Sequence, residues 1–262
     1  MEKREKRAVF YEPTNSLSNV KNVIGVVSGK GGVGKSLVTS LLASALNKKG
    51  YKTAILDADI TGPSIPRAFG VTEKLKSFQE GTYPSLSNEG IKIVSLNLIL
   101  DDDSSPVVWR GPVLSGAIKQ FWKDIIWEDV DYMLVDLPPG TSDATLTVFQ
   151  TIPLKGIVLV TSPQDLVSMI VEKANKMAQM MAIPVIGVVE NYSYFEAPDT
   201  KKIYEIFGKS KLDELAKERN LDVLARIPIK GEIAEKVDDG QVESIDVSFL
   251  DQAVEKIINF EG

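Results

Sequence analysis

The 262-residue chain contains no cysteine and no histidine. Their absence excludes disulfides, thiolate-bound zinc, cysteine nucleophiles and histidine general bases. Chemistry must rest on carboxylates, lysines, hydroxyls and backbone amides. Long apolar runs are also missing, and none approaches the length of a membrane span. Net positive charge is missing as well: 30 basic against 36 acidic side chains leave −6. That balance argues against a broad nucleic-acid-binding surface, though not against a local basic patch. No internal repeat or low-complexity segment is present.

The start, Met1-Glu2-Lys3-Arg4-Glu5-Lys6-Arg7, mixes both signs, and no apolar segment of signal-peptide length follows. A cytoplasmic protein is therefore expected. Residues 1–20 read as a solvated arm whose four basic side chains are available for docking. The remainder, 21–262, is expected to form a single domain, since 44% hydrophobic and 25% charged content is ordinary core-forming material.

The most informative stretch is Gly29-Lys30-Gly31-Gly32-Val33-Gly34-Lys35-Ser36. Its glycines let the backbone take positive φ and turn successive N–H groups inward, making a nest for phosphate oxygens. Lys35 would reach the β and γ phosphates, and the Ser36 hydroxyl would meet Mg²⁺ at the N-terminus of the next helix. An apolar run of buried-strand type precedes the loop at 23–27. After it, Leu37, Leu41, Leu42, Ala45 and Leu46 recur at helical spacing, and Gly50 stands where a C-cap glycine belongs.

Strand-like runs at 23–27, 53–56, 91–96, 132–137, 156–160, 185–189 and 223–227 alternate with helical patterns at 35–49, 113–126, 166–181, 211–220, 231–237 and 248–259. The alternation predicts an α/β fold of the P-loop NTPase kind, a mostly parallel sheet between two helical layers. Residues 74–90 and 191–208 resist the pattern and read as excursions above the sheet. The last helix has an apolar side, with Leu250, Val254 and Ile257, opposite Asp251 and Glu255. Such a charge pattern fits core packing rather than an anionic membrane surface.

Acidic residues follow two of the predicted strands: Asp57 and Asp59 after one, Asp136 at the end of another. Ligands of open α/β sheets sit beyond the carboxyl ends of strands, so all three should converge on the phosphate loop. Asp136 is placed to hold Mg²⁺ directly or through water, with Asp57, Asp59 and Ser36 as the other candidate metal residues. Asp59 is the candidate to orient an attacking water. Gly140, behind the rigid Pro138-Pro139 pair, can offer an N–H to the γ-phosphate.

The Lys-Gly-Gly-Val-Gly-Lys form of the loop resembles the deviant Walker A class that includes MinD, ParA, the nitrogenase iron protein and the Mrp (ApbC) proteins. Further segments resemble Mrp specifically: the run from Asp57 to Pro66, Trp109-Arg110-Gly111-Pro112, and the run from Asp136 to Asp143. Glu190-Asn191-Tyr192-Ser193-Tyr194-Phe195 is similar too, except that the family usually has Met where Tyr192 stands. The resemblance implies a homodimeric, slowly hydrolysing Mg-ATPase acting in iron-sulfur cluster assembly, with scaffold or client proteins as partners. It also implies that Lys30 crosses the dimer interface to the partner's nucleotide, supplying charge as an arginine finger does. Asn191 is implied to hydrogen-bond adenine, and Pro228 to lie in the other base-side loop.

The family's Cys-Pro-x-Cys, through which two subunits bridge an iron-sulfur cluster, is replaced here by Ala197-Pro198-Asp199-Thr200. Clusters are held mainly by thiolates, sometimes with histidine. A thiol-free version of a carrier, a paralogue that works with another cluster protein, and a switch with different cargo are three readings of this loss. A MinD- or ParA-like positioning ATPase and a nucleotide-binding interaction module are the alternative functions. The first of these would need a basic membrane helix or a DNA-binding patch, and neither is expected.

Overall fold

The computed structural model describes residues 11–59, 64–98, 111–140, 142–163 and 167–262. Its strands are β1 (Asn19–Ser28), β2 (Thr53–Asp57), β3 (Lys76–Ser77), β4 (Thr82–Tyr83), β5 (Ser85–Leu86), β6 (Lys92–Ser95), β7 (Asp129–Asp136), β8 (Gly156–Thr161), β9 (Val185–Glu190), β10 (Phe195–Glu196), β11 (Ile203–Tyr204) and β12 (Val223–Arg226). Its α-helices are α1 (Lys35–Lys48), α2 (Ser64–Ala68), α3 (Gly111–Lys123), α4 (Asp143–Thr151), α5 (Val167–Met180), α6 (Leu212–Arg219), α7 (Gly231–Asp238) and α8 (Asp251–Ile258).

The period-two geometry of a strand sends successive side chains to opposite faces, and here both faces are covered. Ile24, Val26, Ile55, Leu134 and Val158 belong to one buried cluster with Leu41 and Leu42 of α1, Ile233 of α7 and Val254 of α8. Their sequence neighbours Val23, Val27, Leu56, Met133, Val135 and Leu159 join a second cluster with Ile118 and Trp122 of α3, Val148 of α4, Met177 of α5 and Leu215 of α6. Each fully buried aliphatic side chain contributes about 1.5–3 kcal/mol, so the two clusters hold helices to both faces. The result is the expected three-layer α/β fold.

The eight-stranded sheet has the order β12-β9-β8-β1-β7-β2-β6-β5, with only β5 antiparallel. β1 lies between β7 and β8, so the segment that follows it emerges at the middle of the sheet's carboxyl edge. The register places Asp57 opposite Asp136 and Val26 opposite the same aspartate. Topology alone therefore brings the two aspartate-bearing strand ends beside the glycine-rich loop.

The expected excursions contain short hairpins, β3–β4 within 74–90 and β10–β11 within 191–208. α4 was not expected: its apolar spacing is broken by Thr145 and Thr147, and its signal is the cap, where Ser142 accepts a hydrogen bond from the Thr145 amide. α2 is only five residues long, too short for a helical period to register. β1 begins at Asn19, inside the stretch read as an arm. Ahead of it, the Glu12 amide donates to the Thr151 carbonyl and the Trp122 indole donates to the Glu12 carbonyl at 2.7 Å. Residues 1–10, 60–63, Trp109, Arg110, Thr141 and Leu166, all part of expected features, lie outside the described residues.

Candidate functional site

Gly29 to Ser36 connects β1 to α1, as the strand and helix patterns on either side of it require. Gly34 is the N-cap of α1 and takes φ 77°, ψ 32°. Two constraints fix glycine there. The left-handed backbone disfavours a side chain, and a Cβ would collide with the Asn191 amide nitrogen. Gly32 has φ 81°. Val33 is buried, and its carbonyl accepts a hydrogen bond from Asn191 Nδ2 at 3.0 Å. Lys30 is exposed, as is the adjacent Gly31.

Lys35 points inward and is almost completely buried. Its Nζ lies 2.8 Å from Asp136 Oδ2 and 3.1 Å from Asp59 Oδ2. Burial by itself would lower the Lys35 pKa, but Asp136 and then Asp59 outweigh it and hold the ammonium above its usual 10.5. Asp136 is fully buried and collects two further donors, Ser36 Oγ at 2.5 Å and Thr39 Oγ1 at 2.7 Å. The structure thus brings Lys35, Ser36, Asp59 and Asp136 together. It adds Thr39, which sequence reasoning missed although it lies one helical turn after Lys35 on the same face.

Asp57 lies beside Asp136 as the strand register requires. Its carboxylate accepts from Ser95 Oγ at 2.7 Å and from the Asp59 amide at 3.1 Å. Burial first, and the nearby Asp136 charge second, push its carboxyl up to about 8. Asp57 thus lies behind Asp136, held by Ser95 and the Asp59 amide. Gly140 takes φ 77°, and its N–H donates to the Ser28 carbonyl at 2.8 Å. Pro228 is buried in the segment after β12, where the Ser193 amide donates to the Ile227 carbonyl and the Ile229 amide to the Tyr194 carbonyl. Those two bonds join the segment carrying Pro228 to the one carrying Asn191.

Asn191 contributes the least expected feature. Its Nδ2 is bonded to the loop, while its buried Oδ1 has no hydrogen-bond partner. Buried polar atoms without partners are rare and costly, and they point to a missing donor. A cleft of about 310 Å³ opens over the loop, lined by Gly31, Gly34, Lys35 and Ser36 on one side and by Ser64 and Val237 on the other. A larger groove of about 560 Å³ lies among Tyr51, Lys52 and Lys92. There Lys52 pairs with Asp129 and Lys92 with Glu128, and the groove lies away from the glycine-rich loop.

Residues 19–260 match the family described as ParA: NUBPL iron-transfer P-loop NTPase. The chain belongs to that family. An iron-sulfur cluster carrier protein of Clostridium perfringens is 49% identical over 233 residues, covering 86% of this chain and 82% of the relative. The nucleotide-binding protein from Archaeoglobus fulgidus, solved in complex with ADP, is 41% identical with a TM-score of 0.79, and the match covers 88% of this chain and 92% of that one. The cell division ATPase MinD of Pyrococcus furiosus has a TM-score of 0.66 at 19% identity, covering 90% and 98%, and this likeness concerns the fold alone. Among the described residues no helix is long and apolar enough to cross a membrane.

Proposed function

We infer that the chain is a slow, Mg-dependent ATPase that works as a homodimeric switch in iron-sulfur cluster assembly in the cytoplasm. The observation that carries this reading is the buried Lys35–Asp136–Ser36 cluster at the floor of the loop's cleft. Lys35 would exchange its two carboxylates for the β and γ phosphates. Ser36 and Asp136 offer the hard oxygen donors that suit Mg²⁺, which takes few protein ligands and keeps waters and phosphate oxygens for the rest. When bound, Mg²⁺ neutralises charge on the transferring phosphoryl group. The unpartnered Oδ1 of Asn191 suits the exocyclic amino group of adenine, with Pro228 beside it on the base side. Asp59 is the residue to orient water, and Lys30 is exposed where a second subunit's nucleotide could be reached. For Gly140 to serve the γ-phosphate, its bond to Ser28 would have to break on nucleotide binding.

The cluster is cargo, and the residues present do not fit it. Ala197 and Thr200 replace thiols in the β10–β11 turn, and among the described residues no group of three or more cysteine, histidine or acidic side chains converges on a metal position. Thiolate ligation must then come from a partner protein, so the chain supplies the switch and a scaffold or client supplies the thiols. Phosphate release from ATP, followed with Mg²⁺ or with EDTA, tests the enzymatic reading. The expected result is slow, Mg-dependent turnover that Asp59→Asn abolishes; ATP left intact after prolonged incubation would favour an interaction module without hydrolysis.

A further inference from the structure

Four consecutive residues at the end of β9 root the β10–β11 hairpin in the phosphate loop. Glu190 is buried, and its carboxylate accepts from Ser193 at 2.5 Å and from Ser210 at 2.6 Å, tying together both ends of the excursion. Asn191 grips the Val33 carbonyl. Tyr192 holds φ 57°, a left-handed conformation that is uncommon for a residue with a bulky side chain. Its hydroxyl would stand 3.0 Å from a Cβ at Gly34, and its ring centroid is 6.3 Å from that of Phe207. The Ser193 amide then bonds to Ile227. A backbone conformation costing about 1–3 kcal/mol persists only where surrounding contacts fix it. Here the hydroxyl neighbours the phosphate loop and the ring neighbours the segment after the hairpin.

We propose that Tyr192 is a positioning residue that carries nucleotide occupancy from Gly34 to the hairpin and to the apolar residues it displays. Ile203 and Ile206 are each 58% exposed and Phe207 is 48% exposed, so a shift of the Tyr192 ring changes the setting of an already solvent-facing apolar edge. A phosphate group that draws in the N–H groups around Gly34 alters what the Tyr192 hydroxyl meets. The ring then shifts relative to Phe207. Coupling of this kind travels through contiguous packed groups and is limited by the free-energy difference that nucleotide makes at the loop. The link rests on the nucleotide reading given above.

Hydrogen exchange of the full chain with and without saturating ADP tests it, using α1 peptides to report that ADP is bound and peptides over 195–207 to report the hairpin. The wild type should show α1 protection together with a hairpin response of about fivefold in exchange rate. Tyr192→Phe, which keeps the ring but removes the hydroxyl, and Phe207→Ala, which cuts the other end at an exposed position, should both keep α1 protection and lose the hairpin response. An equal hairpin response in wild type and both variants overturns the link. So does α1 protection in the wild type with no hairpin response, a result that leaves the nucleotide reading intact. No α1 protection in any protein, at ADP concentrations up to the millimolar range, removes the nucleotide reading and the link together.

Discussion

Lys35 Nζ and Asp136 Oδ2 stand 2.8 Å apart, with the lysine almost completely buried and the aspartate fully so. A buried pair of this kind persists because each partner relieves the other's desolvation, and removing either leaves an uncompensated charge. Asp59 shares the same ammonium, while burial and the Asp136 charge push the neighbouring Asp57 carboxyl up to about 8.

Lys35→Met should lose stability by about 3 kcal/mol, because Asp136 would stay buried without its cation. It should also lose nucleotide binding. Adding Asp136→Asn should restore much of the stability and none of the binding. Urea unfolding and titration calorimetry with ADP separate the two effects. A Lys35→Met protein as stable as wild type would show that the pair contributes little to the fold.

Gly34→Ala should weaken both fold and nucleotide binding, through the left-handed backbone and the collision with Asn191. Part of the cost belongs to the pair. Asn191→Ala in the same chain removes the obstructing amide and should recover about 1 kcal/mol relative to additivity. A double-mutant cycle by urea unfolding measures it, and strict additivity would mean that backbone strain alone explains the glycine.

Glu243 makes a pH-dependent contribution to stability whose sign follows from its surroundings. The side chain is buried, and it accepts from Ser87 Oγ at 2.6 Å and from the Glu89 amide at 3.3 Å. Burial raises its pKa above the usual 4.5 against those two hydrogen bonds, which act in the opposite direction. The folded state binds this proton more tightly than the unfolded chain. The contribution is complete below pH 4.5 and is lost as pH rises through the folded value. Glu243→Gln removes the titration, so its stability relative to wild type should be higher at pH 7 than at pH 4. An equal difference at the two pH values would contradict the raised pKa.

Most of the sheet was legible in the sequence because buried parallel strands are short apolar runs, and Val23, Ile55, Leu134 and Val158 announce them without help from distant residues. Lys35, Ser36 and Asp136 were legible for a related reason: a loop between strand and helix and an acid at a strand end fix position through topology. Thr39 and Ser95 were not, since a hydroxyl in an apolar element looks the same whether it meets a carboxylate or a carbonyl. For Asp57 and Gly140, spacing shows that a group is near the cleft but not which neighbour it bonds. Ser95 claims Asp57, and the Ser28 carbonyl claims the Gly140 amide. Tyr192 was visible only as a departure from the related pattern, and its reach to Gly34 is a matter of distance that no spacing encodes.

Lys30→Ala should leave ADP affinity within about threefold of wild type, because the nest and Lys35 provide the contacts within one subunit. ATP-dependent dimerisation should weaken by about tenfold, the value of one lost charge-assisted contact. Light scattering across a concentration series reads this directly. Equal dimerisation by wild type and variant would remove the role of Lys30 in trans.

The thiol-free turn yields the sharpest contrast. Ala197 accepts from the Lys201 amide and donates its own amide to Lys202, so the turn is formed by its backbone and does not need cysteine to fold. Placing thiols there with Ala197→Cys and Thr200→Cys should therefore create ligands on an existing scaffold. Anaerobic reconstitution with iron and sulfide should give the double variant cluster absorbance, while the wild type remains colourless because it lacks both thiolate and imidazole. Colour in the wild type would reveal ligation by oxygen donors and overturn the need for a partner's thiols. An uncoloured double variant would show that the turn no longer presents its ends as a carrier does, and would turn the reading toward different cargo.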